Sequence, residues 1–289
     1  MLNLQITPQQ KAYELIDSGD GEKFERFGPY TFVRPEPQAM WFKRLSEEEW
    51  QKADAIYARS GRDGQWVFNT KLPASWTIEL CGLKLIIKPT SFKHLGVFPE
   101  QMSNWQWFGD LIKKSKREIS VLNLFGYTGA ASLFAAKCGA EVCHVDASKK
   151  AVEWGKENAV ASGLQDKKIR WIVDDALKFT AREIRRGRKY DAIIMDPPVY
   201  GHGPSGESWK LEKDFYLLMK NCRELLSDQP LFILLNGYVM GYSAISYQNA
   251  LQSVVDNKKG NMEIGELTIK EEKSERLLPA GIFVRWSNC

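Results

Sequence analysis

The sequence predicts an α/β chain in which an open sheet with helices on both faces follows a small β-rich domain. Three observations predict it. From Ile119 to Asp146 an apolar run breaks at a glycine turn, passes through an Ala-rich helical stretch and returns as a second apolar run ending in an acid, the pattern of a βαβ unit. Beyond it, helix-like and strand-like stretches alternate as far as Trp286, as they do around a parallel sheet. Before Pro89, short apolar or alternating runs are instead divided by Gly, Pro, Asn and Asp, as in a twisted antiparallel unit.

A chain of 289 residues has material for two domains, placed here at 1–92 and 93–289. Met1 to Gln10 is mixed and polar, and the apolar run Leu231 to Leu235 has the length of a buried strand, so neither a secretory signal nor a membrane span is expected. The five cysteines form no C-x-x-C pair and only three histidines occur. No metal site or disulfide framework is therefore expected, and a reducing cytoplasm is the natural compartment. A net charge of +4, from 40 basic and 36 acidic residues, is too slight to identify a polyanionic partner. Two clusters stand out, Lys113, Lys114, Lys116 and Arg117, then Arg182, Arg185, Arg186, Arg188 and Lys189. Both are read first as solvated helix ends, where cations suit the dipole, and second as a phosphate footprint.

In the first domain, strands are expected over Tyr13–Asp17, Glu22–Phe27, Tyr30–Arg34, Trp66–Asn69, Trp76–Leu80 and Leu83–Lys88. Ser46 followed by Glu49 is a capping box and opens a helix expected from Glu47 to about Ala58. Pro99 suits a first helical turn, after which Met102, Trp105, Phe108, Leu111 and Ile112 keep a helical apolar period. Phe98 and Gln101 are placed as a lip over a ligand at the domain junction, where pockets concentrate.

The chemistry is expected at the carboxyl ends of the sheet strands. Gly126 and Gly129 let the backbone turn tightly, and Asp146 falls twenty residues after Gly126, where an acid accepts from both hydroxyls of a ribose. A dinucleotide fingerprint needs further glycines where Thr128 and Ala131 stand, which favours a ribose-bearing ligand without a pyrophosphate, such as S-adenosylmethionine. A helix over Lys149–Ser162 starts at the cap Ser148 and stops at Gly163. The third strand, Ile169–Val173, ends in Asp174-Asp175-Ala176. Asp175 can reach an adenine amino group, cap the next helix, or do both. The fourth strand, Tyr190–Asp196, runs into Asp-Pro-Pro-Val-Tyr. The prolines remove two N–H donors and stiffen the loop, so Asp196 and the Pro197 carbonyl present acceptors to an amino group while Tyr200 stacks on its ring. The glycine-rich stretch Tyr200–Trp209 is read as a lid with aromatic ends.

With these motifs in hand, the sequence resembles the class I S-adenosylmethionine-dependent methyltransferases, and within them the group containing the large-subunit ribosomal RNA methyltransferases that carry a β-rich domain before the catalytic one. N-L-F-G-Y-T-G looks like the first motif of that family, H-V-D-A-S the second, V-D-D-A-L-K-F the adenine-side motif and D-P-P-V-Y the catalytic loop, while G-V-F-P-E-Q looks like the cofactor-flanking segment. The resemblance implies a Rossmann-like, seven-stranded sheet in the order 3-2-1-4-5-7-6 with strand 7 antiparallel. It implies that Asn123, Phe125, Gly126 and Gly129 wrap the methionine part of S-adenosylmethionine, that Asp146 holds the ribose and that Asp175 holds the adenine. Tyr127, Thr128, Ala147, Ser148, Asp174 and Ala176 complete the motifs around the cofactor, and Asp196, Pro197, Pro198 and Tyr200 form the acceptor site. The implied acceptor is a base nitrogen in RNA. Methylation of a protein or small molecule, and an inactive RNA-binding fold, are the alternatives, and a homodimer is one arrangement left open. Two departures matter. No PUA-like module precedes the β-rich domain, and L-N-G-Y-V-M-G-Y-S after the fifth strand holds no cysteine, which argues against cytosine C5 methylation through a thiolate.

Overall fold

The structure, a computed structural model, describes residues 3–60, 63–91, 93–238 and 242–288. Strands are β1 (Leu4–Ile6), β2 (Tyr13–Gly19), β3 (Glu22–Phe27) and β4 (Tyr30–Pro35), then helix α1 (Glu47–Gln51), then β5 (Ala55–Ser60), β6 (Asp63–Phe68), β7 (Trp76–Leu80) and β8 (Leu83–Ile87). A short 3-10 turn, Pro99–Gln101, leads into α2 (Met102–Lys114). There follow β9 (Ser120–Leu124), α3 (Ala130–Lys137), β10 (Glu141–Asp146), α4 (Lys149–Ala161), β11 (Ile169–Val173), α5 (Ala176–Arg185) and β12 (Ala192–Met195). The chain closes with β13 (Tyr200–His202), β14 (Ser208–Lys210), α6 (Leu211–Leu225), β15 (Phe232–Gly237), α7 (Ala244–Val255), β16 (Asn261–Lys270) and β17 (Leu277–Ser287).

The residues divide into two units. One holds Gln5–Ser103 with Leu267–Ala280, the other Met1–Leu4, Asn104–Glu266 and Gly281–Cys289. The observed division thus assigns residues 93–103 and 267–280 to the β-rich unit, where the sequence places a single boundary at 92/93.

In the β-rich unit, β2 to β6 form a five-stranded sheet in chain order and β7 pairs with β8. The unit departs from the expected antiparallel sheet at one pairing: β4 and β5 run parallel, because α1 crosses over between them. The capping box at Ser46 and Glu49 is present, yet α1 is only five residues long. Asp54 ends the expected helix early by accepting from the Thr31 N–H and hydroxyl at 2.8 and 2.9 Å and from the Thr70 hydroxyl at 2.7 Å. Ala55 to Ser60 then join the sheet as β5. Trp50 of α1 is buried against Phe24, Val33 and Ala53, and its indole N–H donates to buried Asp17 at 3.0 Å.

Strands β9 to β12 and β15 of the second unit belong to an eight-stranded sheet in the order β11-β10-β9-β12-β15-β17-β16-β1. Seven of these strands follow the order 3-2-1-4-5-7-6, and β1 adds an eighth at the edge. β9, β10, β11, β12 and β15 pair in parallel, whereas β17 is antiparallel to β15. The strands buried on both faces read as continuous apolar runs, as parallel sheets require. Leu122, Ile193, Met195, Ile233 and Leu235 join Phe179, Leu218, Cys222, Leu251 and Val254 of α5, α6 and α7 in one core. On the opposite face Phe108 of α2 stacks on Phe232 at 5.7 Å and meets Phe134 of α3 edge-on at 6.0 Å. Gly163, with φ of +67°, supplies the left-handed residue that stops α4.

Phe108 is fully buried, so Phe108→Ala should lower the unfolding free energy of this unit by about 3–5 kcal/mol, read by denaturant titration. A loss below about 1 kcal/mol would show that α2 is not part of the core.

Candidate active site

Five parallel strands end on one side of the sheet, and the chain after each carries the expected chemistry. The loop after β9 is held open by backbone geometry: Phe125, Tyr127 and Gly129 all have left-handed φ, at +57°, +50° and +82°. For Phe and Tyr that conformation is strained, and it is fixed by Asp146 at the end of β10. One oxygen of Asp146 accepts from the Tyr127 N–H at 2.8 Å and the other from the Ser148 N–H at 2.8 Å. Each oxygen keeps lone pairs for hydroxyl donors. Burial pushes the Asp146 carboxyl upward, opposed by those two N–H groups.

Beneath the loop lies a polar chain that sequence reasoning missed. The Asn123 amide donates to the Ser132 hydroxyl at 2.8 Å, and that hydroxyl meets His144 Nδ1 at 3.0 Å. All three side chains are buried, and burial drives the His144 imidazole down to about 3, so it is neutral. A Cβ at Gly126 would lie 2.5 Å from His144 Cε1. Gly126 is therefore required by contact, and Gly129 by its φ. Thr128 is buried, its carbonyl accepting from Asn158 at 3.0 Å. The parity of β10 held the signal, since His144 stands two residues before Asp146 on a strand buried on both faces.

At the end of β11, Asp175 caps α5 by accepting from the Lys178 N–H at 2.9 Å, so the capping role is observed and its second oxygen is uncommitted by that bond. Asp174 accepts from the Asp175 N–H at 2.9 Å and pairs with Arg182. Ala147 and Ala176 are placed beside Asp146 and Asp175 by chain continuity. Phe98 and Gln101 belong to the β-rich unit.

Asp196 follows β12. The residue is half-buried, and burial lifts its carboxyl to about 6. Pro197 is buried, while Pro198 and Tyr200 are exposed. The stretch read as a lid closes as a hairpin, β13 pairing with β14. Trp209, one of its aromatic ends, is buried, packs on Phe125 at 5.0 Å and donates its indole N–H to the Pro198 carbonyl at 2.6 Å. That bond ties the Pro-Pro turn to the first loop. At the end of β15 the Tyr247 hydroxyl is buried beside Gly237 and has no hydrogen-bond partner among the described residues. Burial and the charge of Asp196 push it up to about 12.

The basic clusters are partly spent on internal pairs. Arg182 pairs with Asp174, Arg186 with Glu183, and Arg117 with Asp191. Among the described residues there is no group of three potential metal ligands, no helix long and apolar enough to cross a membrane, and Cys81, Cys138, Cys143 and Cys222 are free thiols. Cys289, and Val239 to Gly241 of the cysteine-free segment, lie outside the described residues.

A family model of S-adenosylmethionine-dependent methyltransferases matches residues 56–251. The chain belongs to that family. The methyltransferase is 42% identical to a crystal structure of an S-adenosylmethionine-dependent methyltransferase from Agrobacterium tumefaciens, with a TM-score of 0.95 over 99% of this chain and 94% of that one. It is 28% identical over 194 residues to ribosomal RNA large subunit methyltransferase K/L of Vibrio cholerae, covering 66% of this chain and 25% of that protein. It is 32% identical over 151 residues to the protein of the same name from Shewanella frigidimarina, covering 52% and 20%. The matched stretch thus spans a quarter or less of the length of these two curated relatives. The loop after β9 and the acid after β10 fit S-adenosylmethionine as a donor set, with a tight backbone turn closed by contact at Gly126 and a half-buried carboxylate with lone pairs to spare.

Gly126→Ala should displace the loop or His144 and lower stability by about 1–3 kcal/mol in thermal unfolding. An unchanged melting temperature would show that the contact relaxes freely.

Proposed function

We propose that this methyltransferase modifies a base nitrogen in RNA, with ribosomal RNA the first candidate, and that it works in the cytoplasm. The observation that carries the reading is Asp196: a half-buried residue whose carboxyl is lifted to about 6, on a loop whose prolines leave acceptors and few donors, next to exposed Tyr200. An amino group donates to such a surface, and an aromatic ring beside it stacks on a planar base. Tyr238 after β15 and Tyr242 before α7 are also substantially exposed. The names of the curated relatives point the same way.

In this reading Asp146 holds the ribose of the cofactor, the loop from Asn123 to Gly129 holds its amino-acid part, and Asp175 takes the adenine amino group through the oxygen not engaged with Lys178. Bound S-adenosylmethionine supplies an electrophilic methyl group. The task left to the protein is alignment and exclusion of water. Asp196 and the Pro197 carbonyl orient the acceptor nitrogen by accepting its hydrogens, Tyr200 holds the ring, and the Asp196 carboxylate is placed to receive the proton the nitrogen sheds.

The sign of the pH effect follows. Asp196 is raised in the folded chain, so its ionised form costs stability above about 6, and stability is regained as pH falls from there toward the ordinary aspartate range. Function runs the other way, because only the carboxylate can take the proton that the nitrogen sheds. Methyl transfer measured as kcat/KM should rise as pH climbs through about 6. Asp196→Ala should cut turnover far more than cofactor affinity. Incubation with labelled cofactor and fractionated cell extract tests the acceptor: label in RNA supports the proposal, and label in protein or small molecules overturns it.

A further inference from the structure

The Asn236 side chain has an orientation that the chain enforces. Arg285, on β17, donates through Nε and Nη2 to Asn104 Oδ1 at 2.8 and 2.5 Å. Arginine has no acceptor, so the atom it meets on Asn104 must be oxygen, and the other end of that amide must be nitrogen. Asn104 Nδ2 in turn donates to Asn236 Oδ1 at 2.9 Å. The polarity of the relay is therefore fixed from one end, and the Asn236 amide has no freedom to flip. Its Nδ2 points away from Asn104 and makes no hydrogen bond among the described residues. Asn236 as a whole is 4% exposed, so this donor is a buried group left over by the relay.

The place it faces is the acceptor end of the sheet. β12 and β15 pair in parallel up to Met195 and Leu235, which sets Asp196 and Asn236 side by side one residue further on, about 5 Å apart between strands. Ile193, Met195, Ile233 and Leu235 face the core under α5, α6 and α7, so alternation turns Asp196 and Asn236 to the other side together. The relay itself is costly to keep. Arg285 is 3% exposed, lies over the Phe283 ring at 4.3 Å and the Trp107 ring at 5.1 Å, and hydrogen-bonds only Asn104 among the described residues. A buried cation with a neutral partner is destabilising relative to an apolar side chain, and packing alone gives no reason for it.

We infer that Asn236 is a specificity-determining residue of the acceptor site, its Nδ2 donating to a ring nitrogen adjacent to the amino group that Asp196 accepts. Arg285 and Asn104 are positioning residues that hold Asn236 in that sense. The pair reads an amino group beside an unprotonated ring nitrogen, which adenine, cytosine and guanine each present and uracil, having no amino group, does not. This inference rests on the nucleobase reading of the site and narrows it.

The test uses the full chain with labelled S-adenosylmethionine and extract from cells lacking the protein, fractionated into RNA, protein and small molecules. Asn236→Asp keeps the shape and the bond from Asn104 but replaces the outward donor with an acceptor. Incorporation at limiting acceptor, assayed well below the variant's melting transition, should fall roughly 10- to 100-fold, with S-adenosylhomocysteine affinity unchanged. Arg285→Met frees the relay to flip and should lower incorporation by a smaller factor without lowering the melting temperature. AMP, CMP and GMP should compete with labelling by the wild type better than UMP does, and the ranking should vanish in Asn236→Asp. Wild-type incorporation by Asn236→Asp, or equal competition by all four nucleotides in the wild type, overturns the inference while leaving RNA methylation standing. Label entering protein or small molecules overturns the nucleobase reading and this inference with it, as does label entering no fraction.

Discussion

The carboxylate of Asp146 is the constraint on which the site depends. It joins the ends of two strands by accepting one N–H from the loop after β9 and one from the turn after β10. The first of these donors belongs to Tyr127, which holds a left-handed φ that few side chains adopt. Two strained residues in one loop persist only when their surroundings over-determine them. Here the clamp acts from one side and the packed His144, Ser132 and Asn123 from below. The loop is thus preorganised by the same acid that, in the proposed function, holds the ribose.

From that clamp the division of labour across the sheet follows. In the proposed function the ends of β9, β10 and β11 serve the cofactor, with Asp175 capping a helix there, and the ends of β12 and β15 serve the acceptor, with the Asp-Pro-Pro turn offering hydrogen-bond acceptors. Trp209 connects them, its ring on Phe125 and its N–H on the Pro198 carbonyl. Buried polar groups such as Arg285, His144 and the Tyr247 hydroxyl lie near this side of the sheet, where an apolar core would be more stable. Such departures from the cheapest packing are expected where a fold carries chemistry.

Much of this was legible in the sequence because the signals are local. A glycine turn after an apolar strand, an acid twenty residues on, a serine cap and an Asp-Pro-Pro turn each need only a few adjacent residues, and the strand order follows from the family resemblance they establish. What escaped depends on partners far apart in the chain. Asp54 ends α1 by bonding Thr31, so no local pattern over residues 47–58 reveals β5. Trp209 reads as a loop aromatic until Phe125 is seen beneath it. His144 sits inside an apolar strand, and only strand parity sets it under Gly126. The polar residue ending F-I-L-L-N-G, like the lone cation in I-F-V-R-W, was visible as an anomaly in an apolar run, yet the link from Arg285 to Asn236 spans the sheet and requires α2 to close it.

Calorimetric titration of S-adenosylmethionine into the wild type and Asp146→Ala tests the central claim most directly. Loss of the charge-assisted bonds should weaken binding by about 1.5–3 kcal/mol, while both chains remain folded by circular dichroism. Equal affinity in the two would contradict the account, since the ribose would then be held elsewhere.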